Sequence, residues 1–144
     1  MEAYRSIFPP EAPAPTPQQF LVLWQSWLDP DGSGFAGFMA EVCGRPVGVV
    51  LAGRDPAEPS LGHLSRMYVA PDQWGGGVGR ALYSAAIAHL QGGGYRRASL
   101  WVLEANHRAR AWYERLGWAA TGERRAVYGP GGIDELRYER PITH

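Results

Sequence analysis

The sequence predicts an α/β domain: a mixed, mostly antiparallel central sheet flanked by helices. Three observations predict it. Six apolar, β-rich runs, at residues 35–42, 46–52, 61–69, 97–103, 118–126 and 135–140, are bounded by glycine, proline and polar turns. Two helix-forming segments interrupt them, so that the order is strands, helix, strand, helix, strands. At the first strand-to-helix junction, Val69-Ala70-Pro71-Asp72-Gln73-Trp74-Gly75-Gly76-Gly77-Val78-Gly79-Arg80 places a glycine cluster between a strand and a helix.

The elements follow in order. Residues 9–17 hold five prolines and read as an extended connector. Thr16-Pro17-Gln18-Gln19 has the form of a helix start, with Thr at the N-cap and Pro at the first position. Phe20, Leu23, Trp24, Trp27 and Leu28 then line one face at helical spacing, which predicts a helix to about residue 28. Asp29 to Gly34 is a loop. A strand over 35–42 turns at Cys43-Gly44-Arg45 and returns over 46–52 as its hairpin partner. Residues 53–60 form a polar loop, and 61–69 the next strand. A helix from about Gly77 stops at Gly92-Gly93-Gly94. The apolar density of 97–103 suggests a central strand. A helix opening at Asn106 stops at Gly117, and 118–126 with 135–140 closes the sheet as an antiparallel pair.

Strand, glycine turn and helix together expose backbone N–H groups to a phosphate. The first helical turn has donors without internal partners, its dipole favours an anion, and glycine lets a ligand come close. The P-loop reading fails because Arg80-Ala81, not Lys-Ser/Thr, follows Gly79. The dinucleotide pattern Gly-x-Gly-x-x-Gly/Ala fails because its third position falls on Leu82 or Arg80.

What remains resembles the pyrophosphate loop of the GNAT N-acetyltransferases, Arg/Gln-x-x-Gly-x-Gly/Ala. Trp74-Gly75-Gly76-Gly77-Val78-Gly79 fits it except at the first position, where Trp74 stands. A second stretch, Asn106-His107-Arg108-Ala109-Arg110-Ala111-Trp112-Tyr113-Glu114-Arg115-Leu116-Gly117-Trp118, resembles the family's other signature, Asn-x-x-Ala-x-x-Phe-Tyr-x-x-x-Gly-Phe. Two motifs in the right order are far more specific than either alone. The family usually opens with a strand and a helix that closes on Tyr-Arg-aliphatic-Pro. Ala3 to Pro9 resembles that closure, and only two residues precede it. Either the first family strand is missing or truncated in this chain, or the numbering starts late. The hairpin at 35–52 would then need cover on its outer edge, from residues 1–8 or from a second subunit in a homodimer.

Composition narrows the rest. A chain of 144 residues is one domain, and 45% apolar residues with six Trp can build a core. Zero formal net charge and no Lys/Arg block argue against nucleic acid. The one cysteine, Cys43, sits in a turn, which excludes an internal disulfide framework and fits a reducing compartment. Neither a signal peptide nor an apolar run near the ~20 residues of a membrane span is visible. The expected location is the cytoplasm. No cluster has metal-ligand spacing, so no metal is expected.

The resemblance implies acetyl-CoA as co-substrate and direct transfer to a primary amine of a small molecule or peptide. Such transfer needs a bound cofactor, a polarised carbonyl, a neutral amine and a proton for the leaving thiolate. Tyr113 matches the family's general acid, and a phenol stays protonated at neutral pH. On spacing alone Ala109, Trp112, Tyr113 and Leu116 are equally a core stripe. Asn106 is fully explained as an N-cap, and in the family it also contacts the pantetheine arm. Two residues compete as base: Glu104, which ends the central strand, and His63, on the strand where many relatives carry glutamate. Backbone groups of Met67, Tyr68 and Val69 would pair with pantetheine and polarise the thioester. Trp74 through Arg80 (Trp74, Gly75, Gly76, Gly77, Val78, Gly79, Arg80) would wrap the pyrophosphate. Arg80, Arg108 and Arg110 are candidates for the nucleotide 3′-phosphate. Tyr4, Phe8, Trp24, Trp27 and residues 124–132 would build the acceptor side. A non-catalytic acyl-CoA-binding or sensor domain of the same fold is the alternative, which Tyr113 argues against.

Overall fold

The computed structural model describes residues 35–127 and 133–143 with their side chains, and residues 21–27 as backbone. Among them the elements are β1 (Leu21–Trp27), β2 (Ala36–Val42), β3 (Arg45–Arg54), β4 (Gly62–Val69), a 3-10 turn (Pro71–Gln73), α1 (Val78–Gly92), β5 (Arg97–Leu103), α2 (His107–Arg115), β6 (Ala119–Val127) and β7 (Ile133–Pro141). The strands form one sheet in the order β1-β2-β3-β4-β5-β7-β6. Every neighbouring pair is antiparallel except β4–β5, which is parallel. The expected mixed, mostly antiparallel sheet is therefore present. No helix among the described residues is long and apolar enough to cross a membrane.

The β2–β3 hairpin turns on Cys43 and Gly44, both at positive φ (51° and 78°), the two-residue geometry that matches strand twist. Cys43 is an exposed turn residue.

The N-terminal part corrects the sequence reading. Residues 21–27 are a strand, not the second half of a helix, and they pair in unbroken antiparallel register with β2, from Leu21↔Val42 to Trp27↔Ala36. The outer edge of the hairpin is thus covered by β1, neither by residues 1–8 nor by a second subunit, and the ground for a homodimer at that edge is gone. A seven-residue apolar run fits either period, and the unpaired N–H and C=O row of β2 decides for strand. The helix start at Thr16, the segment 3–9, Tyr4, Phe8 and residues 128–132 lie outside the described residues, as do the side chains of Trp24 and Trp27.

Both helices cover one face of the sheet. A Cβ on Gly62 would come within 2.9 Å of Leu90 in α1, so Gly62 and Leu64 face that helix and His63 faces the other way. The rings of Tyr83 in α1 and Trp112 in α2 meet edge-on at 5.6 Å, which ties the two helices side by side. Leu64, Val78, Leu82, Ala86, Leu90, Leu100 and Val102 are buried in the core this makes.

Candidate active site

The sheet opens at its one parallel junction. β4 and β5 pair only through Gly62↔Ala98, His63↔Ser99 and Leu64↔Leu100. Beyond these, β4 follows β3 to Val69 while β5 follows β7 to Leu103. A bulge drives the separation. Arg66 has φ 55°, and two residues of β4, Arg66 and Met67, stand against the single Val50 of β3. The β5-facing backbone of residues 65–69, Met67 and Tyr68 included, is left without a strand partner, a row of polar groups that needs one.

The glycine loop sits at the open end of this gap. Gly75 and Gly77 hold positive φ (78° and 86°), and Gly77 caps α1 without any side-chain hydrogen bond. Ala81 is the first amide to donate back, to the Gly77 carbonyl at 3.0 Å. The N–H groups of Val78, Gly79 and Arg80 are therefore free at the helix end. Gly76 is buried within the loop, and Arg80 is exposed. Trp74, the departure from the family pattern, is tied back: its indole N–H donates to the Val69 carbonyl at 2.9 Å, and the Arg108 guanidinium lies 4.4 Å over its ring. The Gln73 side chain is buried, and its amide N and O have no hydrogen-bond partner among the described residues.

On the helix face, Tyr113 is packed edge-on between Trp112 (5.2 Å) and Trp118 (6.0 Å). Burial, then Tyr83, pushes its phenol well above the ordinary value. Its hydroxyl has no hydrogen-bond partner among the described residues, yet it is not among the sealed, unsatisfied atoms, so it opens onto accessible space. Asn106 caps α2, its side chain accepting from Ala109 N–H at 3.1 Å. Arg110 departs from expectation. It donates to the Tyr138 hydroxyl (3.1 Å) and the Glu104 carbonyl (2.9 Å), so its guanidinium clamps α2 onto the sheet instead of reaching for a phosphate. Arg80 and Arg108 keep that candidacy.

The opposite face holds a cavity of about 170 Å³ lined by Asp55, Glu58, His63, Trp101, Arg125 and Arg137 among others. His63 is 8% exposed, and its Nδ1 lies 2.7 Å from Ser99 Oγ. Ser99 Oγ lies 2.5 Å from Asp55 Oδ2, which also accepts from Arg137 Nη2 at 2.7 Å. Burial pushes the Asp55 carboxyl up, but hydrogen bonds from Ser99, Arg137 and the Ala57 and Glu58 amides outweigh it and hold it at about 2. Burial lowers the His63 pKa, against the pull of Asp55. Glu104 stands elsewhere: it is half-exposed and accepts from Arg124 at 2.6 Å, a guanidinium shared with Asp134 at 3.0 Å. His63 and Glu104 thus occupy separate environments, one buried beside Ser99 and Asp55, the other solvated and paired.

A family model described as the acetyltransferase (GNAT) family matches residues 1–118. The chain belongs to the GNAT acetyltransferase family. Mycothiol acetyltransferase of Streptomyces coelicolor is 40% identical over 93 residues, 65% of this chain and 28% of that protein. An uncharacterized N-acetyltransferase of Methanocaldococcus jannaschii is 33% identical over 103 residues, 65% of this chain and 45% of that protein. The chain thus spans less than half the length of these curated relatives. Among solved structures, a ribosomal-protein-alanine N-acetyltransferase of Escherichia coli superposes with TM-score 0.65 at 26% identity, covering 79% of this chain and 73% of that one. Nourseothricin acetyltransferase superposes with TM-score 0.69 at 25% identity, covering 79% and 69%.

In this GNAT domain the residues fit an acyl-CoA on structural grounds: an unpartnered strand edge beside a glycine-rich helix end whose first amides are free. The buried set Asp55, Ser99 and Arg137 was missed in the sequence. Asp55 lies 44 and 82 residues from its two side-chain partners, and no local pattern marks it.

Proposed function

We propose that the chain is an acetyl-CoA-dependent N-acetyltransferase that moves the acetyl group directly to a primary amine. The observation that carries this is the opening between β4 and β5, with free amides of α1 at its mouth. Acetyl-CoA, when bound, supplies the activated acetyl group. Amides of Val78, Gly79 and Arg80 hold the pyrophosphate, and the bulged backbone of β4 holds the pantetheine as an added strand. A backbone N–H of the same stretch polarises the thioester oxygen. Tyr113, kept protonated by its surroundings, gives its proton to the departing sulfur. His63 or Glu104 accepts the proton that the amine sheds. A cytoplasmic setting fits the free thiol of Cys43.

Thermal unfolding tests this reading. Acetyl-CoA at a hundredfold excess over its Kd stabilises a folded-state binder by about 2.7 kcal/mol, a shift of several degrees for a domain of this size. NAD or ATP at the same concentration should shift the midpoint far less. Equal shifts from all three would mean generic phosphate affinity and end the assignment.

A further inference from the structure

We propose that Trp74 seats the nucleotide base of the acyl donor: its indole stacks with the adenine that an acyl-CoA leaves outside the gap. This rests on the acetyl-CoA reading above and adds a residue that selects the donor by its nucleotide end.

Trp74 stands at the mouth of the opening. The Val69 carbonyl and the Ala70 N–H belong to one trans peptide, so they point in opposite directions. That N–H donates to the Val47 carbonyl of β3 at 2.8 Å, so the Val69 carbonyl points away from β3, toward the gap. There it accepts the Trp74 indole N–H at 2.9 Å. The free amides of α1 adjoin the same residue, since a Cβ on Gly79 would come within 3.5 Å of the Val69 side chain. Indole and amides thus flank one neighbour, close enough for a ribose to span them. A pyrophosphate on those amides, with its acyl arm in the gap, leaves its base at this ring.

The ring is held ready. Trp74 (φ −63°, ψ 138°) and Gly75 (φ 78°) are the central pair of a type II turn, closed by the Gly76 N–H donating to the Gln73 carbonyl at 3.1 Å. The turn fixes the backbone, and the bond to Val69 fixes one edge of the indole. The Arg108 guanidinium, reaching over from the first turn of α2, covers one face at 4.4 Å. Trp74 nevertheless keeps 49% of its surface exposed. With one face and one edge taken, that exposure falls on the other face and the far edge. A flat base stacking there costs little ordering, because the indole is already fixed.

Charge and surroundings favour a nucleotide over an apolar partner. Arg108 is exposed and has no carboxylate partner among the described residues, so the pair presents an aromatic surface with a positive charge behind it. The neighbours of Trp74 in the loop are Gln73 and Gly75 to Gly77, which add no apolar side chain. A protein surface would need a wider patch than one ring.

Titration calorimetry of the intact chain compares acetyl-CoA with S-acetyl phosphopantetheine, which keeps the arm and a phosphate but has no base. Trp74→Leu should weaken acetyl-CoA roughly tenfold and change S-acetyl phosphopantetheine little. Trp74→Phe, which keeps a ring and loses the N–H, should retain most of the preference for acetyl-CoA. The fluorescent ethenoadenine analogue of acetyl-CoA reads the stack directly: its emission should fall on binding to the unmodified chain and stay bright on Trp74→Leu. Equal weakening of both donors in Trp74→Leu would mean that Trp74 only braces the loop. Unchanged affinities, or emission that is not quenched on binding, would mean that the base lies elsewhere. Each of these overturns the proposal. An unmodified chain that binds neither donor would instead overturn the acetyl-CoA reading.

Discussion

Tyr113 is an unusual position for a clean chemical test, because its hydroxyl bonds to nothing among the described residues. Removing an unbonded hydroxyl orphans no buried partner, so Tyr113→Phe should leave the melting temperature nearly unchanged. Turnover should fall by roughly 10²-fold, the scale of one acid–base group, with acetyl-CoA binding kept. Unchanged turnover would show that water protonates the thiolate. Residues with local roles were legible in the sequence: Asn106 caps its helix as its type predicts. Arg110 was not. It stands one turn before Tyr113 and Glu114 on α2, and its reach inward to Tyr138 depends on a strand 28 residues away. The partners of His63 were equally hidden, since Ser99 and Asp55 meet it only when β4 and β5 pair.

Elements were read well where the chain punctuates itself. Gly44, the cluster at 75–79, Gly92 to Gly94 and Gly117 all end or begin elements where the sequence placed them. The strand at 21–27 was misread because its rival, a helix of similar hydrophobic spacing, could be rejected only by the edge that β2 presents. The bulge at Arg66 carries no sequence sign, since a non-glycine residue at φ 55° is not one the residue type announces. The loop itself yields a paired prediction. A Cβ at Gly79 would meet Val69 at 3.5 Å, ordinary contact, so Gly79→Ala should fit and raise the apo melting temperature through helix propensity. Gly77 sits at φ 86°, where a Cβ is strained by about 1–2 kcal/mol, so Gly77→Ala should lower it. Calorimetry of the two variants separates these signs. A common direction would mean that the loop does not have this backbone.

At the scale of the whole molecule, a sheet that opens in its middle must be held together beside the opening. Asp55 does this. From the loop after β3 it accepts from Ser99 on β5 and Arg137 on β7, while its other oxygen accepts from the Ala57 and Glu58 amides. Its carboxyl sits at about 2 in the folded chain against an ordinary 3.8, so the fold favours the charged form. That contribution is complete above pH 4 and is lost as pH falls from 4 toward 2. A depression of nearly two units corresponds to about 2 kcal/mol. His63 adds in the same direction: its pKa is lowered in the fold, so its share is present above about pH 6.5 and declines below it. Asp55→Asn should remove the loss between pH 4 and 2. It should also cost about 3 kcal/mol at pH 7, because Arg137 stays buried with one partner fewer. Urea unfolding of both proteins from pH 7 to pH 2 measures the difference. The two stability curves should converge as pH drops below 4. Curves that stay parallel would mean that the split sheet is braced by something other than Asp55.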